Sequence, residues 1–346
     1  MVERVVAIDV GRGTQDIIIY EPGIPLENCV KMVLPSPTVL VAERIKRITE
    51  AGKPLGLTGV TMGGGPSSKA VKKHLAAGLP VYATEAAALT IGDNLDEVRS
   101  GGVQIVERIP EEAEEVWLGD VDVPALQAAL APFGITLPSQ YAVAVQDHGY
   151  SPQGSNREFR FSLWRRFLEQ GGRLSDLVYR EVPEVYNRMR AVQETVPGAL
   201  LMDTGGAAVW GALCDPEVRA IQERGFTLLN IGNGHTLIFL VKGDEVWGLA
   251  EHHTGAMTTG KIAELVEKLQ SGQLTHEEVF NDGGHGASIR AEYRELDPED
   301  FKQVVVTGPN RGLVKDLGYY FAVPFGDMML SGSFGLLAAG GYLDLP

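Results

Sequence analysis

Two short glycine-rich turns carry residues that could hold phosphate and a divalent cation. In AIDVGRGTQDIIIY, residues 7–20, two glycines, an arginine and two aspartates stand between apolar runs. A bare hairpin needs only two turn residues, so this longer polar turn has room for an occupant. LLNIGNGHTLIFL repeats the layout, with Asn230, Gly232 and Gly234 in the places of Asp9, Gly11 and Gly13. Such turns expose backbone N–H groups to anions, and glycine tolerates the close approach and positive φ this requires. One turn from each half of the chain, facing across a cleft, would clamp a polyphosphate, and Asp9 could hold Mg²⁺ through water. The plainer alternative is a wide turn with Asp9 capping backbone groups, and Asn-Gly at Asn233–Gly234 is also an ordinary hairpin signal.

Other polar residues fall at strand ends. In MDTGGAAVWGAL, Asp203 or Thr204 suits the N-cap of a helix. In VTGPNRG, residues 306–312, Pro309 suits a first helical position after a glycine loop. His148, His235, His252 and His253 sit on loop edges, with Asp147 and Glu251 beside them. Histidine is the commonest metal side chain, which makes His148, His252 and His253 candidate ligands. No HExxH spacing supports this, and neighbours such as His252 and His253 point apart on an extended segment. Hydrogen bonding to substrate or phosphate is the competing role.

The elements that must position these residues alternate between strand and helix. Residues 4–20 predict two strands around the first turn, residues 30–34 a third, and PSPTVLVAERIKRITEAG a helix stopped by Gly52. LGLTGVTMGGGPSSKAVKKHLAAGLPVYAT predicts strand, glycine loop, helix, strand. VQIVERI could be a strand, VPALQAALAPFG a helix ended by Gly134, and the rest of 102–140 an acidic connection; YAVAVQDHG is a strand. Two helices follow, one over Phe159–Phe167 and one with Val185, Met189, Val192 and Val196 on one face. Past residue 199 the pattern predicts strand, polar turn, helix; then three strands; an amphipathic helix with Ile262, Leu265, Val266 and Leu269 buried; strand, loop, helix over QVVVTGPNRGLVKDL; and a closing helix.

A second pairing reinforces the repeat: GGGPSSKAVK aligns with VTGPNRGLVK, placing Gly65 and Pro66 on Gly308 and Pro309. Two loop types in the same order suggest a duplicated α/β domain. A length of 346 residues also favours two domains.

Composition excludes several classes. Hydrophobic residues make up 44% and charged residues 22%, the profile of an ordinary globular chain. A net charge of −15 with no basic cluster disfavours nucleic acid. The acidic run PEEAEE, residues 110–115, reads as solvated surface. Only Cys29 and Cys214 occur, which gives no disulfide framework or zinc spacing and fits a reducing cytoplasm. MVERVVAIDV reads as a first strand rather than a signal segment, and no membrane span is expected.

The succession DVGRGTQD, DTGGAAVWGAL, NIGNGHT, VTGP and SFGLLAAGG resembles the superfamily of acetate and sugar kinases, heat-shock chaperone ATPases and actin. More closely, GTQD, QDHG, SNREFRF, NIGNGHT, EHHTG, GPNRG and GDMMLSGSFG resemble an uncharacterised prokaryotic family labelled as related to pyruvate formate-lyase activating enzyme. The superfamily resemblance implies two ribonuclease-H-like (actin-like ATPase) domains closing over Mg-ATP. Residues 1–225 would form the first, with an insert at about 102–198, and 226–346 the second, whose last helix is a candidate for packing back on the first.

The resemblance further implies a first phosphate loop of Gly11, Arg12, Gly13, Thr14 and Gln15 with Asp9 on Mg²⁺. The second loop would use Gly232, Asn233, Gly234, His235 and Thr236, and an adenosine loop Gly308, Pro309, Asn310 and Arg311. Asn230 stands where the family's second loop usually begins with Asp. Asp203 is the implied base by analogy with sugar kinases, with Asp147 left open as the other candidate. The implied function is Mg-ATP-dependent phosphoryl transfer or ATP hydrolysis on an unknown small or protein-borne substrate. The alternatives are a slow nucleotide-dependent switch acting on a partner protein, or a histidine-dependent metal transferase or hydrolase. The activating-enzyme label conflicts with the chemistry, because a [4Fe–4S] cluster needs about four thiolate ligands.

Overall fold

The computed structural model describes residues 4–345; residues 1–3, at the head of the expected first strand, lie outside them. The chain opens with three antiparallel strands, β1 (Val5–Val10), β2 (Thr14–Tyr20) and β3 (Val30–Pro35). It then builds a separate, all-parallel sheet from β4 (Leu55–Gly59), β5 (Val81–Ala83), β6 (Val103–Ile105) and β7 (Glu114–Leu118), in the order β6-β5-β4-β7. The first sheet resumes with β8 (Gln140–Val145), parallel to β1, then β9 (Val178–Tyr179) and β10 (Leu200–Met202), giving the order β3-β2-β1-β8-β10-β9.

A third sheet is made of β11 (Phe226–Ile231), β12 (His235–Lys242), β13 (Glu245–His253), β14 (Gly286–Ile289), β15 (Val304–Thr307) and β16 (Tyr320–Phe321). Its order is β14-β13-β12-β11-β15-β16. In both six-stranded sheets, three successive antiparallel strands are followed by two parallel ones added beside the first strand. The two turns are also alike, since Gly11 N–H donates to Thr14 O and Gly232 N–H to His235 O, both at 2.9 Å.

This topology corrects part of the sequence-level repeat. The counterpart of β15 is β8, the fourth strand of its sheet, whereas the GGGPSSKAVK loop follows β4 in the all-parallel sheet. Gly-Pro pairs favour strand-to-helix turns wherever they occur, so the second alignment matched turn chemistry rather than position. The stretch 102–198, expected as an insert, supplies β8 at the centre of the first sheet.

Each central strand divides its residues between two cores. Val6, Ile8 and Val10 of β1 enter one apolar cluster and Val5 and Ala7 another, on the other face. Within the expected acidic connection lies β7, where Val116 and Leu118 point inward while Glu114 pairs with Lys53 outside. The acidic neighbours masked that alternation. The expected helix after β15 is only a 3₁₀ turn, Arg311–Val314, and the helix near Val185 begins at Asn187.

The helices Thr204–Ala212 and Ser331–Ala339 join the two halves. They touch backbone to backbone: a methyl at Gly211 would collide with Ser331 O, and one at Gly335 with Ala207 O. Replacing Gly335 by Ala is therefore expected to cost at least about 1–3 kcal/mol, the usual penalty of overpacking. A urea midpoint equal to that of wild type would refute this close packing. The last helix also packs on β1 of the first sheet. Among the described residues no helix is long and apolar enough to cross a membrane.

Candidate functional site

The two glycine turns meet at the floor of a cleft of about 660 Å³ that is also lined by loops of the all-parallel sheet, within the usual range of small-molecule sites. Gly13 packs against the Asn233 side chain, and the Arg12 stem lies against Gly234. Asp9, Gly11, Arg12, Thr14, Asp147, His148, Gly232, Asn233, Gly234, His235, His253, Gly308 and Pro309 line the cleft, as does Asn230. Lys69 and Lys72 of the Pro66–Ala76 helix do too. Among the described residues, Arg12, Lys69 and Lys72 form no ion pair.

Several expected residues face elsewhere. Gln15 donates to Pro35 O, and Thr236 shares a 3.0 Å hydroxyl hydrogen bond with Thr254. Asn310 braces the second turn by donating to Gly232 O at 3.0 Å, while Arg311 lies over the Phe321 ring. His252 is buried against Asp282, at 2.9 Å, and does not line the cleft.

Asp203 also differs from its expected role. Its Oδ1 accepts from Gly205 N–H at 2.9 Å and so caps the Thr204–Ala212 helix. Arg160 clasps both oxygens, at 2.8 and 3.1 Å, and the residue is absent from the cleft lining. A carboxylate held this way is a cap and counter-ion, the outcome its strand-to-helix position favours. Asp147 does reach the cleft, but Gly149 N–H and Met189 N–H each donate to it at 2.8 Å. Burial still pushes its carboxyl up to about 6 against those bonds.

The first turn contains an unexpected pair. Asp9 on β1 and Asp16 on β2 are direct cross-strand partners, an arrangement that is repulsive when both are ionised. Oδ1 of each is buried without a hydrogen-bond partner. Burial, then the charges of Asp16 and Asp203, lift the Asp9 carboxyl well above its ordinary value. Burial chiefly lifts Asp16 to about 7, with Asp327 adding to the effect and a Thr14 hydrogen bond opposing it. Gly332, at the start of the last helix, lies against Asp9 so closely that any side chain would overlap its Oδ2.

The raised Asp16 value predicts a pH effect. Between its ordinary 3.8 and about 7 the folded state binds the proton that the unfolded chain releases, so wild-type stability falls as pH rises through that window and is level above it. Asp16→Asn lacks the titration and is expected to gain on wild type progressively from pH 4 to 7. Parallel melting curves across those pH values would sink the expectation.

Four histidines also line the cleft. One ring nitrogen from each of His148, His235 and His285 lies within 4.8 Å of the others, and His148 Nε2 is 3.3 Å from His285 Nε2. His253 packs against His235 and His285 with ring centroids 4.9 and 5.0 Å apart. Burial holds His148 well below its ordinary value, His235 at about 3 and His285 at about 4, with Glu251 opposing and Arg160 reinforcing the effect. His285 stands alone in a glycine-rich stretch with no ligand-type spacing, so nothing in the sequence marked it.

No curated protein matches this chain. A solved structure described as "Lmo2764 protein, a putative N-acetylmannosamine kinase, from Listeria monocytogenes" is similar to it over 97% of this chain and 98% of that one, at 10% identity and a TM-score of 0.35. The family model described as "Putative pyruvate format-lyase activating enzyme (DUF1786)" matches residues 62–313, more than half of the sequence and all of the span from the Gly63–Gly65 loop through the second glycine turn to the 3₁₀ turn after β15. On that match the chain belongs to this family.

Proposed function

We propose that the cleft binds Mg-ATP and that the protein is an ATP-dependent phosphotransferase or ATPase. The observation that carries this reading is the Asp9–Asp16 pair beneath the glycine turns, with two buried carboxylate oxygens that have no hydrogen-bond partner. Mg²⁺ keeps several waters and binds through one or two carboxylates, which suits this pair. Arg12, Lys69 and Lys72, free of ion pairs among the described residues, favour an anionic ligand despite the net charge of −15. Bound Mg²⁺ would neutralise charge on the phosphoryl oxygens while the turn N–H groups hold them in line. We read residues 1–225 and 226–346 as two ribonuclease-H-like units, in keeping with the matched strand orders.

A slow nucleotide-dependent switch is the second reading, favoured by one observation. Asp203 is tied to Arg160 and a helix cap, and Asn230 adds no carboxylate to the cleft. Asp147, which lines the cleft, is then the remaining one of the two candidate bases. A radical activase is not proposed, since the chain's only cysteines, Cys29 and Cys214, are buried in one apolar cluster.

Mg-ATP at ~100 times its Kd is expected to stabilise the fold by about 2.7 kcal/mol, seen as a raised Tm. Asp9→Ala should remove the Mg²⁺-dependent part of the shift. A Tm indifferent to every nucleotide would end the ATP reading; if binding holds, ADP release with and without acceptors separates transferase from switch.

A further inference from the structure

We propose that His148, His235 and His285 form a three-histidine site for a divalent transition metal of the Zn²⁺ class, separate from the Asp9–Asp16 pair and independent of nucleotide. The 3.3 Å between the Nε2 atoms of His148 and His285 equals the edge, about 3.3 Å, of a tetrahedron with metal–nitrogen bonds of about 2.0–2.1 Å. The three nitrogens lie within 4.8 Å of one another, so closure needs the farthest ring to swing by at most about 1.5 Å. His235 Nε2 and His285 Nδ1 are buried and without hydrogen-bond partners, and His285 is wholly buried. Ligation would satisfy the first of these, the His235 nitrogen.

The backbone around the three rings is well anchored. His235 opens β12 in register with His253, the His285 N–H donates to Glu251 O at 2.9 Å, and His148 follows Asp147, which is pinned by two backbone N–H groups. Behind the rings Arg160 is paired with two carboxylates, Asp203 and Glu251, so that group carries a net negative charge. All-imidazole donors select Zn²⁺, Fe²⁺, Co²⁺, Ni²⁺ or Cu²⁺ over Mg²⁺ and Ca²⁺, which prefer oxygen. All three rings line the cleft, so the fourth position opens onto it. Three protein ligands with an open position is the arrangement of catalytic rather than structural zinc. Its ligand there would be water or an oxygen of a cleft-bound substrate.

The test uses the full chain, stripped with a chelator and titrated with Co²⁺ and Zn²⁺ in the absence of nucleotide. About one metal per chain is expected, with visible d–d absorption of the Co²⁺ form. His235→Asn and His148→Asn, at partly exposed positions, should each weaken Co²⁺ binding at least about 100-fold while keeping the far-UV circular dichroism of wild type. His252→Asn should leave it unchanged, and inorganic phosphate alone should not displace the metal. Uptake below about 0.1 metal per chain, undiminished binding in the His235 and His148 variants, or an equal loss in the His252 variant would each overturn the site. Because no nucleotide is present, failure here says nothing against Mg-ATP binding.

Discussion

Replacing Arg160 by methionine is expected to destabilise the protein by about 3–5 kcal/mol, the usual cost of leaving a buried charge without its partner. Arg160 is 2% exposed, and every nitrogen of its guanidinium donates a hydrogen bond. Nε lies 2.9 and 2.8 Å from the two Glu251 oxygens; Nη1 donates to Asp203 Oδ2 at 2.8 Å and Asp147 O at 2.7 Å; Nη2 donates to Asp203 Oδ1 at 3.1 Å. Glu251, wholly buried on β13, keeps only Gln146 and Trp164 as donors once the arginine is gone. Asp203 follows β10 of the first sheet and Glu251 lies on β13 of the third, so the arginine also ties these two sheets together.

Burial alone would raise the Glu251 carboxyl, but Arg160 together with the neighbouring His285, His235 and His148 outweighs it and holds the group well below its ordinary 4.5. Its contribution is therefore present above pH 4.5 and is lost as pH falls toward the depressed folded value. The combined Arg160→Met, Asp203→Asn, Glu251→Gln variant removes both stranded charges and should recover much of the loss. Guanidinium midpoints are the measurement, and a single-variant loss under about 1 kcal/mol would show that the network does not carry the fold.

Gly332→Ala is expected to abolish the Mg²⁺-dependent part of nucleotide binding while leaving every cleft carboxylate in the sequence. The added methyl overlaps Asp9 Oδ2, so the aspartate side chain must turn to make room. A Mg²⁺ position set by two carboxylates tolerates little displacement, since the ion demands near-ideal octahedral geometry. Asp9→Asn supplies the contrasting case. It removes a buried, repelled carboxylate, so without ligand it should melt above wild type, yet it should not respond to Mg²⁺. Calorimetric titration of Mg-ATP into both variants decides the matter. Undiminished Mg²⁺ dependence in Gly332→Ala would move the metal away from Asp9.

What was legible in the sequence was local. The hairpin around Gly11 and Gly13 showed because six residues of β1 and seven of β2 carry their own apolar pattern up to the turn, and a strand needs no distant partner to declare its period. The same holds for the Gly52 helix stop, which has φ +66°. By contrast, β7 was hidden because its outward positions are acidic, and the 3₁₀ turn at Arg311–Val314 looked helical because a Gly-Pro start suits either.

The sequence by itself determined the repeated glycine hairpins, the strand–helix alternation and the polar residues at strand ends, all properties of neighbours along the chain. Only the tertiary structure decided which of those residues meet. Gly332 reaches Asp9 across more than three hundred residues, His285 joins His148 from another sheet, and Arg160 takes Asp203 and Glu251 for itself. Contacts of that kind arise from how the sheets stack, and stacking is set by whole buried faces rather than by any short motif.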